Sequence, residues 1–132
     1  MTSHVERALS CQLADYFTAN IPYPVQWAHI PNGELRQKKT ASLLKRMGTK
    51  SGWADYQIVY DGRVFFVELK RPRVLKKDGG KYQAAGTLSD EQEAFRDACI
   101  ANSTPYAVCH SLAEVEAILQ MWGIPLKGKI AA

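Results

Sequence analysis

The chain has 132 residues, 46% hydrophobic and 23% charged, which suits one folded domain with its own core and argues against a disordered segment. No apolar run approaches the roughly 18 residues of a membrane helix, and the start MTSHVERALS lacks the basic-then-apolar layout of a secretory signal. The expectation is a single domain over residues 1–132, in the cytoplasm and away from membranes, with a net charge of +4 whose distribution says more than its sum.

Residues 3–20 predict an amphipathic helix, with Val5, Ala8, Leu9, Leu13, Tyr16 and Phe17 at helical spacing and a Ser3–Glu6 capping box at its start. The stretch IPYP breaks the chain, VQWAHI (25–30) reads as a short strand, and Asn32-Gly33 marks a turn. TASLLKRM (40–47) predicts a short helix stopped by Gly48. Two strands follow, 56–60 and 63–69, joined by Asp61-Gly62, the dipeptide that favours a type I′ turn. Residues 71–88, rich in charge and glycine, read as a long loop. A helix opens at Ser89 with a second capping box to Gln92, a strand covers 106–110, and a last helix, capped by Ser111 and Glu114, runs to about Trp122.

The central strand pair is apolar on both faces, Val59, Val64 and Phe66 on one and Ile58, Phe65 and Val67 on the other. Such a pair is covered on both sides, which predicts an α/β fold with a mixed sheet between helices. Cys11, Cys99 and Cys109 are odd in number, far apart and set among apolar neighbours, and read as buried reduced thiols. Trp27, Trp53 and Trp122 read as core, Trp53 with a second reading as a DNA contact; His4, His29 and His110 read as structural.

If Asp61-Gly62 is a two-residue loop, paired positions sum to 123, and Asp55 stands directly opposite Glu68. Opposed like charges lie about 4.5–5.5 Å apart at Cβ and destabilise a sheet. Lys70 shares their face by the period of two. A divalent cation between two such carboxylates removes the conflict, and hard ions such as Mg²⁺ or Mn²⁺ take one or two carboxylates plus water and phosphate. The absence of a His or Cys cluster argues against zinc. A plain ion-pair cluster of Lys70, Glu68 and Asp55 is the alternative reading. Arg36, Lys38, Lys39, Lys45, Arg46 and Lys50 precede this pair, and Lys70, Arg71, Arg73, Lys76, Lys77 and Lys81 follow it, together twelve of the 17 basic residues. Clusters of this kind suit a phosphate backbone, with solvated loops as the bland alternative.

Asp55, Glu68-Leu69-Lys70 and the α-β-β-β-α-β order resemble the PD-(D/E)xK nuclease superfamily. Glu6 in the first helix, Asn32-Gly33, Arg46-Met47-Gly48 leading into Gly52-Trp53-Ala54-Asp55, and Leu88-Ser89-x-x-Gln92 narrow the resemblance to the VRR-NUC family of small stand-alone phage and bacterial nucleases. It spans about residues 4–122, and Ala54 departs from it, standing where the family usually has proline. The resemblance implies a Mg²⁺- or Mn²⁺-dependent deoxyribonuclease with Asp55, Glu68, the Leu69 carbonyl and Glu6 around the metal. Lys70 would position the attacking water and Gln92 would support the site. It further implies a homodimer acting on branched DNA such as four-way junctions, in a bacterial cell or phage-infected host. Capping their own helices is the competing reading for Glu6 and Gln92. A non-catalytic DNA-binding module of the same fold is the alternative function; an enzyme for a small phosphorylated molecule lacks any phosphate-cradling glycine loop. The last helix, with Leu112, Val115, Ile118, Leu119 and Trp122, is a candidate dimer surface whose alternative is packing on the sheet.

Overall fold

The structure is a computed structural model that describes residues 4–31, 38–75 and 82–128. Ser3, Asn32, Gly33, Arg36, Lys76, Lys77 and Lys81 lie outside the described residues. In chain order the elements are α1 (His4–Asn20), β1 (Gln26–His29), α2 (Lys38–Arg46), β2 (Tyr56–Tyr60), β3 (Arg63–Leu69), β4 (Val74–Leu75), β5 (Tyr82–Gln83), α3 (Asp90–Ala101), β6 (Tyr106–Cys109) and α4 (Leu112–Met121). The fold is mixed α/β: β1, β2, β3 and β6 form one sheet in that order, antiparallel except for the parallel pair β3–β6.

The turn between β2 and β3 sets the register. Asp61 (φ 51°) and Gly62 (φ 72°) both take the left-handed conformation that a type I′ turn requires. Tyr60 therefore pairs with Arg63, Val59 with Val64 and Tyr56 with Val67, the register expected from a two-residue loop. One face, carrying Tyr56, Ile58, Phe65, Val67 and Leu69, buries against Leu13 and Phe17 of α1 and Val115 and Leu119 of α4. The other face carries Phe66, which packs with Ala54, Cys99 and Phe95 beneath α3. Burying each such large apolar side chain contributes about 1.5–3 kcal/mol, which fixes the sheet between its helices. Val59, at the turn end, is exposed while Val64 opposite it packs on the Phe66 cluster, so the cover of the second face thins toward the turn.

Three expectations need correction. Residues 71–88 are not a plain loop: Val74–Leu75 and Tyr82–Gln83 pair as a second, two-stranded antiparallel sheet. Runs of two residues are too short to show the alternation by which strands are recognised. Cys11 is exposed, on the outer side of α1, while Cys99 and Cys109 are buried free thiols. Trp53 is not a core residue, being 39% exposed. The apolar residues of α4 behave as packing residues: Val115 and Leu119 are wholly buried, and Trp122 meets the Phe65 ring at 5.3 Å. None of the described helices is long and apolar enough to cross a membrane.

Candidate active site

The last pair in the β2–β3 ladder is Tyr56 with Val67, so Asp55 and Glu68 come next, at the end of the hairpin beside the parallel strand β6. Asp55 is fastened at both its ends. Its carbonyl accepts from the Ile30 N–H (2.7 Å) and stands 2.9 Å from His29 Nδ1, while its Oδ2 accepts from the Leu69 N–H at 2.8 Å. The carboxylate thus takes an amide at the end of the ladder and is aimed across it toward Glu68.

Glu68 is an acidic residue buried to 2% exposure. Its Oε1 accepts from Gln92 Nε2 at 3.0 Å and lies 3.9 Å from Lys70 Nζ, a loose ion pair. Its Oε2 is buried with no hydrogen-bond partner among the described residues. Burial first, then the charge of Asp55, pushes the Glu68 carboxyl up to about 9, with Lys70 opposing. Burial likewise raises Asp55, against the Leu69 N–H, the carboxyl of Glu68, and the charges of His29 and Lys70. Burial therefore biases both carboxyls toward their protonated forms.

Gln92 uses its two amide atoms in two different hydrogen bonds. Its Oε1 accepts from the Ser89 N–H at 2.9 Å while the Ser89 hydroxyl accepts from the Gln92 N–H at 3.2 Å, closing the capping box of α3. Its Nε2 remains for Glu68. The amide has two ends, and the two readings never competed.

Glu6 reaches the same end of the sheet from α1, where its Oε1 accepts from the Arg71 N–H at 3.3 Å. The Arg71 carbonyl in turn accepts from the Gly86 N–H at 3.0 Å. A Cβ built on Gly86 would stand 3.2 Å from Glu6 Oε1, so the glycine lets the chain after β5 close over this carboxylate. Arg71 Nε is buried without a hydrogen-bond partner among the described residues. Glu6 therefore holds the main chain one residue past Lys70. No three His, Cys, Asp or Glu side chains gather as a metal-binding group among the described residues. The donors that fit a divalent ion are the two opposed carboxylates, hard oxygen ligands of which one oxygen is buried and unsatisfied.

His29, read as structural, sits against the site, its ring 5.1 Å from that of Tyr56 and its Nδ1 on the Asp55 carbonyl. Twenty-six positions separate His29 from Asp55, and only the β1–β2 register, which pairs His29 with Tyr56, brings them together. His110 follows Cys109, whose carbonyl accepts from the Lys70 N–H at 3.0 Å, and its own ring pairs with Glu114 at 3.3 Å.

The basic residues divide by position. Lys38, Lys39, Lys45 and Arg46 are on α2, none of whose side chains is buried, and Lys50 follows it, exposed. Lys38, Lys39, Ser42, Leu43 and Arg46 line an open concavity of about 520 Å³. Arg73 is exposed on the approach to β4, and Arg71 is half-buried beside Glu6.

No family model, no curated protein and no solved structure matches this chain.

Proposed function

We propose that the chain is a Mg²⁺- or Mn²⁺-dependent DNA endonuclease with a PD-(D/E)xK core of the VRR-NUC type, acting as a homodimer on branched DNA such as four-way junctions. The observation that carries this reading is the opposition of Asp55 and Glu68 at the hairpin end, with a buried unsatisfied Oε2 and Lys70 beside it. Two opposed carboxyls that burial keeps from ionising freely are a poor structural device and a good cation site.

The chemistry a divalent ion supplies when bound is polarisation of a phosphodiester and activation of water. The protein's own residues do the rest. The Leu69 amide and the two contacts on the Asp55 carbonyl hold that carboxylate in place, and Gln92 orients Glu68. Lys70, at 12% exposure, keeps its ammonium in a poorly solvated position where it offsets negative charge gathering on a phosphate in the transition state. Glu6 ties α1 to the main chain that carries Lys70, which supports it as a positioning residue as well as a candidate ligand. The exposed cations of α2 provide contacts to phosphates.

Cleavage of labelled four-way junctions and linear duplex in Mg²⁺ tests this directly. Asp55→Ala, Glu68→Ala and Lys70→Ala are expected each to lower the cleavage rate by about a hundredfold or more. Wild type is expected to make paired, symmetric incisions in a junction, since a twofold dimer presents two sites. Undiminished cutting by any variant removes that residue's role. DNA binding without cutting by wild type, with no effect of Mn²⁺, favours the non-catalytic module.

A further inference from the structure

Trp53, two residues before Asp55, is clamped and yet left 39% exposed. Its indole lies 4.7 Å from the Phe95 ring at an interplanar angle of 35° and meets Phe66 edge-on at 5.9 Å. Phe66 and Phe95 brace each other at 5.0 Å and 87°. Ala54, the next residue, is wholly buried, so the segment cannot slide along the sheet. The indole is thus held in one orientation while part of it stays open to solvent.

The location supplies the second half of the argument. Phe66 shares a face of β3 with Glu68 two residues on, a step of about 7 Å. On α3, Phe95 lies three residues beyond Gln92, the Glu68 partner, and so on the same side of the helix. The aromatic cluster and the acid pair are therefore neighbours along one strip between β3 and α3. The segment that carries Trp53 is strongly cationic: residues 35–54 contain Arg36, Lys38, Lys39, Lys45, Arg46 and Lys50 and no Asp or Glu. A flat aromatic surface one step from a site suited to a phosphodiester matches a nucleobase of the strand bound there, although the first turn of α3 beside Gly52 is acidic. In continuous duplex the base faces are stacked on one another and closed to such a surface.

We propose that Trp53 is a stacking platform for an unpaired or unstacked base in the strand whose phosphate lies at Asp55 and Glu68. The platform favours DNA in which pairing is interrupted beside the cleavage position. This rests on the nuclease reading and adds to it the feature of the branched substrate that is recognised.

The test is a binding scan in EDTA, so that no cleavage intervenes. 2-Aminopurine is placed in turn at each position of a single-stranded arm next to a duplex, and its fluorescence is read on titration with the full chain. Wild type is expected to quench the probe at one or two adjacent positions only. Trp53→Leu is expected to lose that quenching and to bind the branched DNA about five- to one-hundredfold more weakly, while Trp53→Phe keeps a larger part of both. A wild-type scan with no localised quenching overturns the proposal, as does a folded Trp53→Leu protein that quenches like wild type. Should Trp53→Leu not fold, Trp53→Phe decides: localised wild-type quenching that weakens in it supports the platform, and quenching it leaves unchanged overturns it. A protein that cuts DNA but quenches no probe loses the platform and keeps the nuclease reading; one that neither binds nor cuts DNA loses both.

Discussion

At the scale of the residue, Glu68 is the group on which the fold spends stability. It is buried to 2% exposure with one oxygen unsatisfied, and its carboxyl is pushed up to about 9. The consequence for the metal-free protein has a definite sign. Below the ordinary carboxylate range, Glu68 is protonated whether the chain is folded or not. Between that range and about 9 the folded chain keeps a proton that the unfolded chain has released, so stability falls as pH rises. The slope approaches about 1.4 kcal/mol per pH unit where the proton difference is complete. Thermal melts in EDTA from pH 5 to pH 9 are expected to show this decline in wild type and a flatter profile in Glu68→Gln, which carries no ionisable group. Equal profiles for the two proteins would contradict the assignment.

Much at this scale was legible in advance. The register up to Tyr56 with Val67, the last pair before Asp55 and Glu68, followed from the dipeptide Asp61-Gly62, because a two-residue loop leaves only one register. His29 was not legible. Its contact with Asp55 depends on how β1 lays itself along β2, and no local pattern encodes a pairing between strands separated by a helix. The double use of Gln92 was also hidden, since an i, i+3 capping box says nothing about where the second end of the amide points.

Among the elements, the loop that delivers Asp55 is shaped by Gly52. Its φ of +85° is left-handed, and a Cβ there would stand 2.5 Å from the main-chain carbonyl of Glu91 in the first turn of α3. The neighbour is backbone and cannot move aside. Gly52→Ala is therefore expected to destabilise the fold by about 1–3 kcal/mol through strain and displacement of α3. The shift should appear in the urea midpoint, whereas Gly48→Ala meets nothing within 4 Å and carries only the cost of its φ of +100°. A Gly52→Ala midpoint no lower than that of Gly48→Ala would contradict this account. The same scale shows where pattern reading works. The hairpin strands were bounded correctly by aromatic and β-branched residues around a turn dipeptide, and α3 and α4 by their serine caps. The pair β4–β5 escaped because two residues per strand carry no period. Val5 of α1 and the solvent side of α2 show a related limit: helical spacing selects a face, but only a neighbour makes that face a core.

For the whole molecule, the arrangement is a sheet held between α1 and α4 on one side and α3 on the other, with the acid pair at the end of its hairpin. The basic helix α2 is left on the surface. Its cations are free of a packing duty, since none of its side chains is buried. Phosphate contacts release counterions, so DNA affinity is expected to fall steeply with salt, with a log–log slope of about −0.9 per neutralised phosphate. Replacing Lys45 and Arg46 by Gln is expected to make that slope shallower by about one unit for each phosphate no longer neutralised, measured by fluorescence anisotropy of a labelled junction. An unchanged slope would remove α2 from the interface.

The claim on which the rest depends is that Asp55 and Glu68 are companions of a divalent ion. The most direct measurement is anomalous diffraction from crystals of the full chain grown with Mn²⁺. The account predicts a manganese peak between the two carboxylates, absent in crystals of Asp55→Ala. Well-ordered Asp55 and Glu68 side chains with no peak between them, or a peak that persists in Asp55→Ala, would contradict it.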